Sequence, residues 1–161
     1  MATFTVGVTG IDKVLERMKT LPARLDEAEK RAVVRGQLHT ERKWKENVRG
    51  LILNVRTGAY RASVRSGAPE KDARGHLGRV GIVRGKAEKY APVHEYGATI
   101  RPKPTNKRGR LAFRIPGVGW RSATSVTIPA RAPMARSFEA VRPQILSEFE
   151  TLTRRAINAG R

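Results

Sequence analysis

Apolar positions along this chain change period several times. "TFTVGV", Thr3 to Val8, alternates with period two and is rich in β-branched side chains, which predicts a short opening strand. Over "TGIDKVLERMKTL" the period lengthens. Ile11, Val14, Leu15, Met18 and Leu21 fall on one helical face, and Thr9 followed by Asp12 has the spacing of a capping box. Pro22 suits both the end of this short helix and the first turn of a longer one, about 23–48, since a first turn does not need the N–H that proline lacks. Leu25, Ala28, Ala32, Val33, Trp44 and Val48 give that helix an apolar side. Asp26 with Lys30, Glu27 with Arg31 and Glu41 with Lys45 place acid before base at four-residue spacing, while Gly36 weakens the middle.

From "LILNV" to about Ile128 the chain turns Gly-, Pro- and Val-rich. Short β-like runs stand at "ASVRS", "GRVGIV", "RLAFRI" and "SVTI", separated by turn residues. The last element opens at "APMARSFEAV", where Met134, Phe138, Val141, Ile145, Phe149, Leu152 and Ala156 recur at three or four residues. Pro143 is expected to kink or split this helix and Gly160 to stop it. The pattern predicts an α+β fold: an antiparallel sheet of about four strands packed against amphipathic helices, with a long N-terminal helix and a C-terminal helix. The length of 161 residues suits one domain, 1–161.

Composition narrows the function. The absence of cysteine excludes disulfides, thiolate nucleophiles and zinc–thiolate clusters. No apolar run approaches the roughly 20 residues that span a bilayer, and the amino end lacks a signal-peptide layout, so a cytoplasmic, membrane-free setting is expected. The net charge is +19, and residues 51–137 hold most of it, with 18 basic against 4 acidic groups. That sign favours an acidic partner: nucleic acid, an anionic surface or an acidic protein.

Candidate catalytic chemistry is sparse. In "HEYGA", His94 and Glu95 begin a zinc-protease pattern, but Ala98 stands where the second histidine is needed, and His39 and His76 are distant in sequence. Adjacent side chains diverge on helix and strand alike, so His94 and Glu95 are no ready acid–base dyad. Packing explains the stretch better: Tyr90, Val93 and Tyr96 around a turn closed by Gly97, with His94 and Glu95 hydrogen-bonded to neighbouring structure or to a partner. "GIVRGK" misses the phosphate-loop spacing, "GHLG" reads as a hairpin turn rather than an RNA clamp, and no G-x-S-x-G elbow occurs. No catalytic residue, metal or cofactor is expected, and the protein reads as a non-enzyme.

A long basic arm or loop is expected at about 100–124. Arg101, Lys103, Lys107, Arg108, Arg110, Arg114 and Arg121, with Phe113 and Trp120 among them, have the make-up to track phosphates and stack on bases. The same charge also suits a solvated arm that docks on an acidic neighbour in an assembly.

Three segments in this order resemble the tail-completion, or head-to-tail joining, proteins of long-tailed bacteriophages, minor components of the virion neck. They are "TGAYRASV", "YAPVHEYGATI" and "IPARAPMARSFEAV". The matching positions are Thr57, Gly58, Tyr60, Arg61 and Ser63, then Tyr90, Ala91, Glu95, Tyr96 and Gly97, then Pro129, Ala130, Arg131, Pro133 and Phe138. Ala132 separates Arg131 from Pro133 where the family joins them directly, and Met134 stands at a usual Phe. The resemblance implies an α+β fold and no catalysis. It also implies a ring of identical copies, hexameric, between a head-side connector and the tail tube or tail terminator. The location would be the virion, assembled in a host cytoplasm, with weak genomic DNA contact as a further expectation. The competing expectation is a sequence-nonspecific nucleic-acid binding protein that uses the basic middle segment.

Overall fold

The computed structural model describes residues 10–51, 58–83, 85–103, 108–115 and 117–159. The expected strand at Thr3–Val8, the capping residue Thr9, and Thr57, Lys107 and Gly160 lie outside the described residues. The fold is α+β, with helices α1 (Ile11–Glu46), α2 (Ala59–Ser63), α3 (Lys86–Tyr96) and α4 (Pro133–Asn158). Interleaved with them, the described residues form eight short strands: β1 (Val64–Ser66), β2 (Glu70–Asp72), β3 (Gly75–Leu77), β4 (Val80–Ile82), β5 (Ala98–Ile100), β6 (Leu111–Ile115), β7 (Gly119–Ala123) and β8 (Val126–Ile128). They pair two by two, as β1–β4, β2–β3, β5–β8 and β6–β7, rather than joining into one sheet of four strands.

Proline does not break the helices as expected. Pro22 lies inside a continuous α1 and Pro143 inside a continuous α4. A proline inside a helix strands the carbonyl four residues earlier. The residues four positions earlier, Met18 and Glu139, both lie on the exposed side of their helices, where the ring of the proline is accommodated.

Two compact units divide the chain. The first takes the chain up to His39, Ser66–Arg79 and the chain from Val141; the second takes Thr40–Arg65 and Val80–Ala140. In the first unit one face of α1 carries the β2–β3 hairpin. Asp26, Glu29, Val33 and Gln37 succeed one another at three or four residues, the spacing of a single helical stripe. The Glu29 carboxylate accepts the His76 amide at 3.0 Å, and Gln37 Nε2 donates to the carbonyls of Gly67 and Arg79 at 3.0 and 3.1 Å. Antiparallel register runs Glu70↔Leu77, Lys71↔His76 and Asp72↔Gly75, and the Asp72 carboxylate accepts the Arg74 amide within the turn. "GHLG" is therefore a strand of the hairpin and its exit, not the turn itself.

Asp26 also departs from expectation. Glu27 pairs with Arg31 at 2.9 Å and Glu41 with Lys45, as the four-residue spacing predicts, but Asp26 turns to Lys71 and His76 of the hairpin. Gly36 likewise serves packing: its missing side chain is the space that Ile145 of α4 fills, since a Cβ there would meet Ile145 at 3.3 Å. Three residues along each helix, His39 and Glu148 meet at 3.0 Å.

In the second unit the core is Trp44, Val48, Tyr60, Val64, Ala87 and Ala91, with Val80, Ile82 and Tyr90 packed against it. Val48 and Val64 are almost wholly buried, each worth about 1.5–3 kcal/mol of transfer free energy.

The Lys71 ammonium holds the Asp26 carboxyl below its ordinary range, aided by the His76 bond and opposed by desolvation. A carboxylate whose folded pKa is depressed contributes stability above its unfolded pKa and loses it as pH falls through the folded one. Acid titration followed by amide exchange is expected to release the β2–β3 hairpin below the usual carboxylate range, and Asp26→Asn is expected to flatten that acid limb; an unchanged limb in the variant would count against the ion pair as the hairpin's anchor.

Candidate functional site

"YAPVHEYGATI" is not a turn between strands. It is the second half of α3, closed by Gly97, followed by β5. Ala87, Tyr90, Ala91, His94 and Glu95 recur at three and four residues and form one face of this helix. Tyr90 and His94 point at the same neighbour. Tyr60 of α2 packs edge-on against Tyr90 with ring centroids 6.0 Å apart, and stacks on His94 at 6.1 Å. Trp44 of α1 meets Tyr60 edge-on from another side, at 6.4 Å. Such pairs add about 0.5–1.5 kcal/mol each beyond their buried area.

Burial among these rings sets the electrostatics. It pushes the Tyr60 hydroxyl up to about 12, against the effect of the Trp44 indole and helped by the Glu95 charge. It lowers His94 below the ordinary histidine value, with Arg131 adding to the effect. Among the described residues the buried His94 Nδ1 has no hydrogen-bond partner, and its ring packs against Tyr60 and Tyr90 instead. Its backbone does the bonding: the His94 carbonyl accepts the amides of Arg131 at 2.8 Å and Ala132 at 3.2 Å.

Glu95 carries the decisive contact. Its two carboxylate oxygens accept the amides of Met134 and Ala135, at 2.9 and 3.0 Å, in the first turn of α4. A helix opens with four unpartnered N–H groups and a positive dipole end. Here Pro133 brings no N–H, Glu95 takes the next two, and Arg136 donates to the Ala132 carbonyl at 3.0 Å. Every amide of that turn is accounted for, and the buried anion sits where the helix dipole favours it. The sequence carried a signal for this contact: α4 opens after Ala132, whose side chain has no oxygen to cap a helix, so an acceptor must come from elsewhere. Below this junction Ser137 donates to the Pro133 carbonyl at 2.5 Å and accepts Asn47 Nδ2 at 2.7 Å, both residues buried.

Gly97 closes the same junction from the other end. Its φ of 74° and ψ of 166° belong to a region open almost only to glycine, and a Cβ there would come within 2.9 Å of the Ile128 carbonyl and the Ala130 amide. The chain then runs directly into β5, which pairs with β8 as Ala98↔Ile128, Thr99↔Thr127 and Ile100↔Val126.

The residues picked out in the sequence thus divide. Tyr60, Tyr90, Ala91, Glu95, Gly97, Pro133 and the backbone of Arg131 meet in this junction, and Ser63 Oγ donates to the Tyr60 carbonyl at 2.6 Å beside it. Gly58, with a φ of 68°, precedes α2. Tyr96 was expected to anchor packing, but it is 77 % exposed. Arg61, Pro129 and Ala130 are exposed, and Phe138 is 48 % exposed. An open recess of about 260 Å³ lies beside the cluster, with Trp44, Tyr60, Ile82, Ala91, Tyr96 and Met134 in its walls.

The basic stretch at 100–124 is less of an arm than expected. Most of its second half is the antiparallel β6–β7 hairpin, with Arg114 opposite Trp120 and Phe113 opposite Arg121. Arg101, Lys103, Arg108, Arg110, Arg114 and Arg121 are exposed, and Trp120 is 71 % exposed.

In the first unit Asp26, Glu29 and His76 bring one possible ligand atom each to within 4.8 Å of one another. Distance in sequence hid this meeting of His76 with two carboxylates. The Lys71 ammonium on Asp26 and the His76 amide on Glu29 already use those charges to hold the hairpin.

No protein-family model, no curated protein and no solved structure matches this chain.

Glu95→Ala is expected to cost about 2–4 kcal/mol in a denaturant titration, because it leaves two amides of α4 without an acceptor, and Glu95→Gln about half as much. Equal stability of Glu95→Ala and the parent chain would remove the capping account. Gly97→Val is expected to lower stability by at least about 2 kcal/mol from backbone strain and the clash at Ile128 and Ala130; a thermal midpoint within error of the parent would contradict it.

Proposed function

We propose that this chain is a structural protein of a tailed-bacteriophage virion that joins head to tail at the neck, as a ring of identical copies between a head-side connector and the tail tube or its terminator. One observation carries the reading. The segments on which the resemblance rests are far apart in sequence, yet described residues of all three meet in the Tyr60–His94–Glu95 junction. Their shared motif then has a physical meaning: it specifies how α2, α3 and the start of α4 lock together.

Surface character supports an assembling role. Ile11, Val14, Leu15 and Met18 line one face of α1 and are all half or more exposed, and Phe138, Leu146, Phe149 and Ile157 are exposed along α4. Apolar stripes of this kind mark protein–protein contact more often than free surface. The recess beside Tyr96 and Met134 offers a seat for a neighbour's side chain, and the β6–β7 hairpin, basic with a bare Trp120, is built to reach one. The role asks for no catalysis: Glu95 is committed to two amides and His94 to ring packing. Among the described residues no helix is long and apolar enough to cross a membrane.

Electron microscopy of particles made with this gene deleted, and with it restored, tests the reading. Filled heads and finished tails lying unjoined, rescued by the parent gene but not by Gly97→Val, are expected. Normally joined particles from the deletion would overturn it.

A further inference from the structure

Four cations line one open groove of about 500 Å³ in the second unit: Lys45, Arg49, Arg61 and Arg65, with Gly58 and Ala62 between them. Among the described residues no carboxylate lines it. Lys45 is paired with Glu41, so the three guanidinium groups carry its net charge. Arg65 also donates to the Val64 carbonyl at 3.2 Å, which uses one of its five N–H groups. Arg49, Arg61 and Arg65 are exposed.

The position of these four is not accidental to the fold. Each stands one residue after a buried member of the core: Lys45 after Trp44, Arg49 after Val48, Arg61 after Tyr60 and Arg65 after Val64. Packing that fixes the core residue therefore fixes the backbone from which its cationic neighbour projects. Mutually repelling charges are gathered on a rigid base before any partner arrives, which lowers the ordering cost of binding an anion.

We propose that this groove binds the phosphodiester backbone of nucleic acid, independently of sequence. Guanidinium groups match phosphate oxygens bidentately, and three around one groove suit successive phosphates of a strand. The remainder of the chain favours the same ligand over an acidic protein. Residues 51–137 hold 18 basic against 4 acidic groups, and DNA presents a negative charge about every 1.7 Å of axis, a density protein surfaces rarely reach. This binding goes beyond the joining role and stands or falls without it.

Fluorescence anisotropy of the full chain with a short labelled DNA duplex, across a salt series, tests the site. Arg49→Ala with Arg61→Ala is expected to weaken binding at least about tenfold at moderate salt and to lower the slope of log affinity against log salt by about 2. Arg114→Ala with Arg121→Ala removes the same charge from the β6–β7 hairpin and is expected to weaken binding less. Arg49→Lys with Arg61→Lys keeps the charge and is expected to keep the parent's slope. Equal losses from groove and hairpin would mean diffuse attraction and overturn the proposal, as would a lysine pair as weak as the alanine pair. Absence of DNA binding, or tighter binding to polyglutamate than to the duplex, would overturn it too.

Discussion

One buried carboxylate fixes the arrangement of the second unit. Glu95 reaches from the end of α3 to the first turn of α4 and satisfies two amides that have no partner of their own. Neither partner works without the other: a buried anion needs donors, and a helix start without a capping side chain needs an acceptor. Once that contact forms, the His94 carbonyl is set to take the Arg131 and Ala132 amides, and Gly97 must turn within 2.9 Å of Ile128 and Ala130. The aromatic face one helical step away is thereby fixed on Tyr60.

This arrangement also shows how a motif can read as chemistry and serve architecture. A histidine beside a glutamate invites a catalytic interpretation, yet successive residues on α3 point to different tasks. His94 gives its ring to a stack and its carbonyl to two amides, while Glu95 gives its charge to a helix end.

What the sequence revealed and what it hid follow from the range of the forces involved. The helices at both ends were legible because apolar residues at helical spacing run for many turns. The strands at 80–82, 111–115 and 126–128 were legible from β-branched runs between turn residues. Proline misled twice, at Pro22 and Pro143, each inside a helix that runs on past it. In both cases the residue four positions earlier, Met18 or Glu139, is exposed, a property of tertiary structure that no local pattern displays. Pair spacing foretold the Glu27 and Glu41 bridges but not the recruitment of Asp26 by a hairpin 45 residues away. Glycine at 36 looked like a weakness only because Ile145, which needs its space, lies more than a hundred residues on.

The β5–β8 pairing has a consequence for how freely this protein can change. Ile100 and Val126 are register partners, so everything between them leaves and re-enters the body at one point. The β6–β7 hairpin within that excursion is held by its own ladder, Leu111↔Ala123 through Ile115↔Gly119. Such an insert can lengthen, shorten or be exchanged without moving a core side chain, since the flanking strands close on each other whatever lies beyond. Descendants of this chain thus have a module on which recognition can diverge while the junction at Glu95 stays fixed.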